Sequence, residues 1–185
     1  MAEADTNEVI RQHLRQFFAG RCEEHVWTHG PAQDELPRLR ALEFAPGPKT
    51  GLWVYVTAGA WEARNDPRLE FLIAAPEQDQ RHVELLFMAA RYHGREGLGP
   101  GHTLPIGEPW LPGSACEFFL VSLPYPFGPK LEVCNFRDRY LHVMWLLPIT
   151  KAEREFKAKE GLESLEQRFD ECALEYWIPD RVSVI

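Results

Sequence analysis

The side chains with chemistry in this 185-residue chain are scattered, and no familiar catalytic motif gathers them. Nucleophilic catalysis needs an activated serine or cysteine beside a base. Cys116 with His102 is the pairing that comes nearest, as a hydrolase-type dyad, although a cysteine in an apolar stretch is more commonly a buried structural residue. Gly113-Ser114 is not a nucleophile elbow, because no glycine stands two places after Ser114. His25 and His29 have the i, i+4 spacing of metal ligands on a helix, but Gly30-Pro31 argues against a helix there and no third ligand accompanies them. Gly97-Leu-Gly-Pro-Gly101 lacks the Lys-Ser/Thr of a phosphate loop, and Pro100 removes an N–H that would face a phosphate. Glu153, Glu155, Glu160, Glu163 and Glu166 alternate with Lys and Arg, the mark of a solvated face. His142 lies in an apolar run and reads as a hydrogen-bonded core histidine. These residues assemble no catalytic centre and call for no metal or cofactor, so the expectation is a protein that is not an enzyme.

Composition narrows the class of partner. Apolar residues make up 45% of the chain and charged ones 26%, ordinary for a globular protein and unlike a disordered one. Six Trp and eleven Phe supply large side chains for a core. The formal net charge of -8 disfavours nucleic acid and anionic membranes, which are gripped through Lys/Arg patches, and suits a basic protein partner. Cys22, Cys116, Cys134 and Cys172 are widely spaced, with no C-x-x-C pair, which fits a reducing compartment. The acidic start Met-Ala-Glu-Ala-Asp lacks the regions of a signal peptide, and no apolar run is long enough to span a bilayer. A cytoplasmic location is expected.

Elements that could position a site follow from periodicity. Val9/Ile10, His13/Leu14 and Phe17/Phe18 draw one apolar stripe on an N-terminal helix over 5–20, with Asp5 and Glu8 at capping-box spacing. Residues 29–37 read as a loop. Strands are expected over 38–44, over 52–57 (apolar on both faces, hence internal) and over 69–74. A nearly all-apolar helix over 77–92 is expected between layers. Residues 94–113 are so rich in Gly and Pro that no regular element is expected, and so long a loop either carries function or plugs the core with Leu104, Ile106 and Trp110. Strands follow over 117–123, 131–136 and 140–147, with Pro148 as a stop. Thr150-Lys-Ala-Glu153 is a capping box, Gly161 breaks the helix it starts, and a second helical stretch carries Leu162, Leu165, Phe169 and Cys172. The end of the chain, 177–185, is apolar enough to pack back on the body. The fold class is α+β, in one domain spanning 1–185.

Several of these segments, in order, resemble the suppressor of fused domain. They are Trp53-Val-Tyr-Val-Thr-Ala-Gly59, Val83-Glu-Leu-Leu86 with Ala90-Arg-Tyr92, and Pro109-Trp-Leu-Pro-Gly-Ser114. Leu147-Pro-Ile-Thr150 follows with Glu153, Gly161, Leu165 and Phe169, and then Asp180-Arg-Val-Ser-Val184. Each piece is short and unspecific; the ordered set covers 25–185. The resemblance implies a mixed sheet flanked by helices and a protein that acts by sequestration. Eukaryotic members hold zinc-finger transcription factors inactive, and many bacterial single-domain members are implied to be immunity proteins that neutralise a toxin. The second domain with which eukaryotic members close around their ligand peptide is not expected here, so the bacterial role is the better fit. In the eukaryotic members a tyrosine of the Ala-Arg-Tyr segment and a following aspartate contact the ligand. Tyr92 matches the tyrosine, but Gly101 runs directly into His102 where the aspartate would stand, which counts against a shared ligand.

The expected function is therefore a non-catalytic module that sequesters a protein partner, first of all a toxin with a basic surface. A hydrolase using Cys116 or a histidine, and a regulator of a transcription factor, are the alternatives. The contact region is expected at the Gly/Pro-rich loop, with Tyr92, His102 and Trp110 as aromatic anchors.

Overall fold

Near-continuous apolar runs give the inner strands two faces to bury, and the chain meets that demand by placing helices on both. The computed structural model describes residues 5–137 and 139–185. In chain order these form α1 (Thr6–Phe18), β1 (Cys22–Val26), α2 (Pro31–Glu35), β2 (Arg40–Phe44), β3 (Trp53–Ala58), β4 (Leu69–Ala75) and α3 (Arg81–Glu96). After them come β5 (Thr103–Pro105), β6 (Cys116–Ser122), α4 (Pro129–Glu132), β7 (Val133–Phe136), β8 (Arg139–Thr150), α5 (Lys151–Glu160) and α6 (Leu162–Glu171). The eight strands make one sheet in the order β1-β2-β3-β4-β8-β6-β5, with β7 also paired to β8. Among the described residues only the β4–β8 pairing is parallel, so the sheet is mixed, as the resemblance implied.

β8 organises the sheet. Its residues 142–145 pair with β4 along one edge, while 139–142 pair with β7 and 145–150 with β6 along the other. On β4, Leu69, Phe71, Ile73 and Ala75 face the core under α3. Leu72 and Ala74 face the second core, closed by Ile10, Leu14 and Phe18 of α1 and by Leu165 and Phe169 of α6. The apolar stripe of α1 is thus buried as expected, and Asp5 caps the helix by accepting from the Asn7 N–H. Glu8 does not complete a box; its Oε2 accepts two hydrogen bonds from Arg11.

Several boundaries differ from the sequence expectation for identifiable reasons. β1 was not expected, because Cys-Glu-Glu-His-Val is a polar edge strand with no buried residue, held by antiparallel pairing to β2. The loop over 29–37 contains the short α2, opened by Pro31 in the first turn. α3 starts four residues later than expected and runs on to Glu96. Within the Gly/Pro-rich stretch, Thr103–Pro105 pairs with β6 and buries Leu104. The strand expected over 131–136 begins with the helical turn α4 before becoming β7. β8 does not stop at Pro148. The Pro148 carbonyl accepts from Arg181 at 3.0 Å, so its nitrogen faces the same way, outward from β6, and no ladder bond is lost.

Among the buried polar residues one lacks any hydrogen-bond partner on its ring. His82, at the start of α3, is fully buried between the rings of Tyr55 and Trp110, with centroids 4.9 and 5.6 Å away. Neither ring nitrogen has a partner. Burial pushes this imidazole from its ordinary 6.5 down to about 4. Its neutral form is the one the fold accepts, so the unfolded chain takes up a proton first. The wild-type protein should therefore lose about 3 kcal/mol of stability as pH falls from about 6.5 to about 4. His82→Phe is expected to remove that loss and keep the stacking; urea midpoints for both proteins across that range check it.

Candidate functional site

The segment that leaves α3 is irregular in sequence but fixed in place. His93, fully buried, accepts the Leu98 N–H at Nδ1, 2.9 Å away. Its Nε2 lies 3.1 Å from the Pro67 carbonyl, so the second nitrogen must carry the proton and donate. Burial lowers the pKa of this ring and keeps it neutral. Beyond it, the Gly101 N–H donates to the Val121 carbonyl at 2.8 Å and the Val121 N–H to the His102 carbonyl at 2.9 Å, stitching the loop to β6. Gly101 has a φ of +82°, and a Cβ there would sit 3.1 Å from Leu162, so this close turn requires glycine. The Lys157 ammonium of α5 donates to the Gly101 carbonyl.

These restraints build a shallow cleft that brings Tyr92 of α3 and His102 together, with Glu96, Thr103 and Lys157 on its walls. Tyr92 is half-buried against the core under α3, and His102 is exposed. Burial and the neighbouring Arg154 push the Lys157 ammonium down. The cleft thus offers an aromatic ring, an imidazole, a carboxylate and a partly desolvated cation within one open surface. Glu96 and Lys157 were not among the sequence candidates. Lys157 lies 65 residues beyond Tyr92, and only the docking of α5 beside Gly101 brings it there.

Trp110 does not belong to this surface, which corrects its expected role as an anchor. Its side chain is 1% exposed in the core under α3. The Trp110 backbone N–H donates to the Cys116 carbonyl at 3.0 Å, and Arg81 donates to the carbonyls of Trp110 and Pro109. Trp110 plugs the end of the core and ties the loop to the start of α3.

The Cys116–His102 dyad, the alternative reading, is not assembled, and Cys116 is the buried structural cysteine that the sequence favours. Cys116 is 1% exposed in the same core, and burial pushes its thiol up. His102 sits opposite Val121, five residues along β6 from Cys116, about 16 Å at the ordinary strand rise. His25 and His29 share no helix: His25 is in β1, 2.9 Å from Glu43, and His29 lies beside Thr28. Glu23, His25 and Glu43 do bring their ligand atoms within 4.8 Å of one another, but Glu43 already accepts from His25 and Gln78. His142 is only partly buried, with Nδ1 3.3 Å from Glu132, rather than a core histidine. Glu153, expected on a solvated face, is fully buried. Its capping box with Thr150 is present as expected.

A mixed sheet with helices on both faces, and a cleft at the end of α3 lined by Tyr92 and His102, agree with the fold that the ordered motifs implied. The family described as Suppressor of fused protein (SUFU) matches residues 35–181, and the chain belongs to that family. It is similar over 99% of its length, at 33% identity and a TM-score of 0.88, to 98% of a suppressor-of-fused homologue of Neisseria gonorrhoeae. At 15% identity the fold is shared with Sufu in the Sufu–Fu complex (TM-score 0.72; 97% of this chain, 92% of that one). It is shared equally with Drosophila Suppressor of Fused (15% identity, TM-score 0.71), where 97% of this chain covers 51% of that protein. No curated protein matches the chain. No helix among the described residues is long and apolar enough to cross a membrane.

Proposed function

We propose that this protein is a non-catalytic binding domain that sequesters a protein partner, and that in its own cell it is an immunity protein neutralising a toxin. The observation that carries the reading is the convergence of Tyr92 and His102 on one braced cleft in a chain of the suppressor of fused family. A surface held rigid before binding loses little entropy on association. Tyr92 offers the aromatic contact that dominates many interfaces, and His102 with Lys157 and Glu96 supplies polar groups around it. A net charge of -8 favours a basic toxin surface and speeds encounter with it. The missing aspartate after Gly101 makes a transcription-factor peptide the poorer fit.

Tyr92→Ala is expected to weaken partner binding by about 2 kcal/mol, read by calorimetry against the captured partner. His102→Ala should weaken binding while moving stability by no more than about 0.5 kcal/mol, since the side chain is exposed. Unchanged affinity in both variants would remove the cleft from the interface.

A further inference from the structure

A second concavity, sharing no lining residue with the Tyr92–His102 cleft, opens between the β6–β8 side of the sheet and the end of α6. It encloses about 600 Å³, the size range of small-molecule sites. Its floor is Leu120 and Leu147, and its walls are aromatic. The rings of Trp145 and Tyr176 meet nearly at right angles, 77° apart with centroids separated by 4.6 Å. Phe169 and the exposed Tyr125 complete the aromatic lining.

Polar groups without a partner among the described residues line this cavity. Glu166 and Asp170, one helical turn apart on α6, both line it, and no hydrogen bond or ion pair reaches either carboxylate among the described residues. Burial, together with the charges of Asp170 and Glu163, pushes the Glu166 carboxyl up, a repulsion that a cation would relieve. The Ser122 hydroxyl, on a residue only 6% exposed, also lines the cavity and has no partner among the described residues. Aromatic faces attract cations through their quadrupoles, and uncompensated carboxylates beside them add a full negative charge. An apolar floor, aromatic walls and a negative rim together describe one kind of ligand.

We propose that this cavity is a binding site for a small organic cation, an apolar body carrying a single ammonium group. The apolar body rests on Leu120 and Leu147 between the aromatic walls, the ammonium group meets Glu166 and Asp170, and Ser122 is free to hydrogen-bond a polar substituent. This site is independent of the protein-binding cleft.

The test compares three probes of nearly equal shape, 2-phenylethylamine, 2-phenylethanol and 3-phenylpropionate, by two-dimensional NMR of the full chain. The Trp145 indole signal is assigned from a Trp145→Phe variant. The amine is expected to shift that signal and the amides of α6 saturably, with the alcohol about tenfold weaker and the carboxylate weaker still. The double variant Glu166→Gln, Asp170→Asn should lower amine affinity about tenfold and leave the alcohol unchanged. Tyr125→Leu, at an exposed position, should weaken the amine more than the alcohol, and the same spectra report that each variant is folded. Equal binding of amine and alcohol, saturable shifts confined to other parts of the molecule, or no saturable shift with any probe would each overturn the proposal.

Discussion

Arg181→Ala is expected to destabilise the protein by about 4 kcal/mol, because it strands a carboxylate in the interior. Glu153 is fully buried and Arg181 only 8% exposed. The guanidinium forks onto both carboxylate oxygens, with Nη1 donating to Oε1 and Nη2 to Oε2, each at 2.7 Å. The same carboxylate accepts the Thr150 N–H in the capping box and the Val184 N–H of the C-terminal segment. Arg181 also donates to the Pro148 carbonyl at the end of β8. One ion pair therefore joins the last strand, the first turn of α5 and the end of the chain, and α5 in turn carries Lys157 to the cleft. Arg181→Lys should recover only part of the loss, since an ammonium cannot fork across two oxygens. Burial raises the Glu153 carboxyl, but the Arg181 hydrogen bonds and charge outweigh it and hold the group below the usual carboxylate range. Its contribution is present above the ordinary value of 4.5 and lost as pH falls through the lower folded value. The cost of Arg181→Ala should thus shrink in acid. Denaturant midpoints of both single variants and of the double variant with Glu153→Ala measure the coupling, expected at about 3 kcal/mol. A coupling near zero would contradict this account of the pair.

The second large effect is expected at Glu70, also a fully buried carboxylate. It lies on β4 and organises the turn after β3. One oxygen accepts from the N–H groups of Gly59 and Trp61, and the other from the Thr57 hydroxyl and the Ala60 N–H. Thr57 in turn accepts the Phe71 N–H at 2.8 Å. Gly59 has a φ of +110°, and a Cβ there would lie 3.0 Å from the Arg38 carbonyl oxygen, so the backbone crosses closely at the same point. Glu70→Ala leaves these donors buried without an acceptor, which should cost about 4 kcal/mol near pH 5. Burial pushes the Glu70 carboxyl up to about 7 despite its four donors. A raised folded value means stability that is full below the ordinary 4.5 and declines as pH rises through 7. The wild-type protein therefore loses part of its advantage in base, and the cost of Glu70→Ala should fall to about 1–2 kcal/mol near pH 8. Urea unfolding at the two pH values decides it; a cost that grows toward alkaline pH would reverse the sign and refute the assignment.

Much of the fold was legible where periodicity follows burial. The α1 stripe of Ile10, Leu14 and Phe18, the two-sided run of β3 and the capping box of Thr150 and Glu153 each carry a local signal that the structure repeats. Elements made by tertiary pairing were not legible. β1 has no buried residue to create a pattern, and β5 is three residues held by β6 within a stretch of turn-forming residues. Pro148 misled because its meaning depends on which edge of the strand faces Arg181, and no local spacing encodes that. At the site, Tyr92 and His102 could be singled out along the chain, but their company could not. Glu96 stands one turn beyond Tyr92 on α3, past the expected end of that helix, and Lys157 arrives only because α5 docks beside Gly101. Trp110 shows the converse failure: an aromatic in a Gly/Pro-rich loop suits an interface and a core plug equally well, and burial alone tells them apart.

The most direct test of sequestration is a pull-down from the source cell with tagged wild-type protein and the Tyr92→Ala variant as parallel baits, identified by mass spectrometry across a range of salt. The account predicts one dominant, stoichiometric partner on the wild-type bait, basic in its contacting domain, retained less as salt rises and depleted on the variant. No stoichiometric partner at any salt concentration, or one captured equally by both baits, would contradict it.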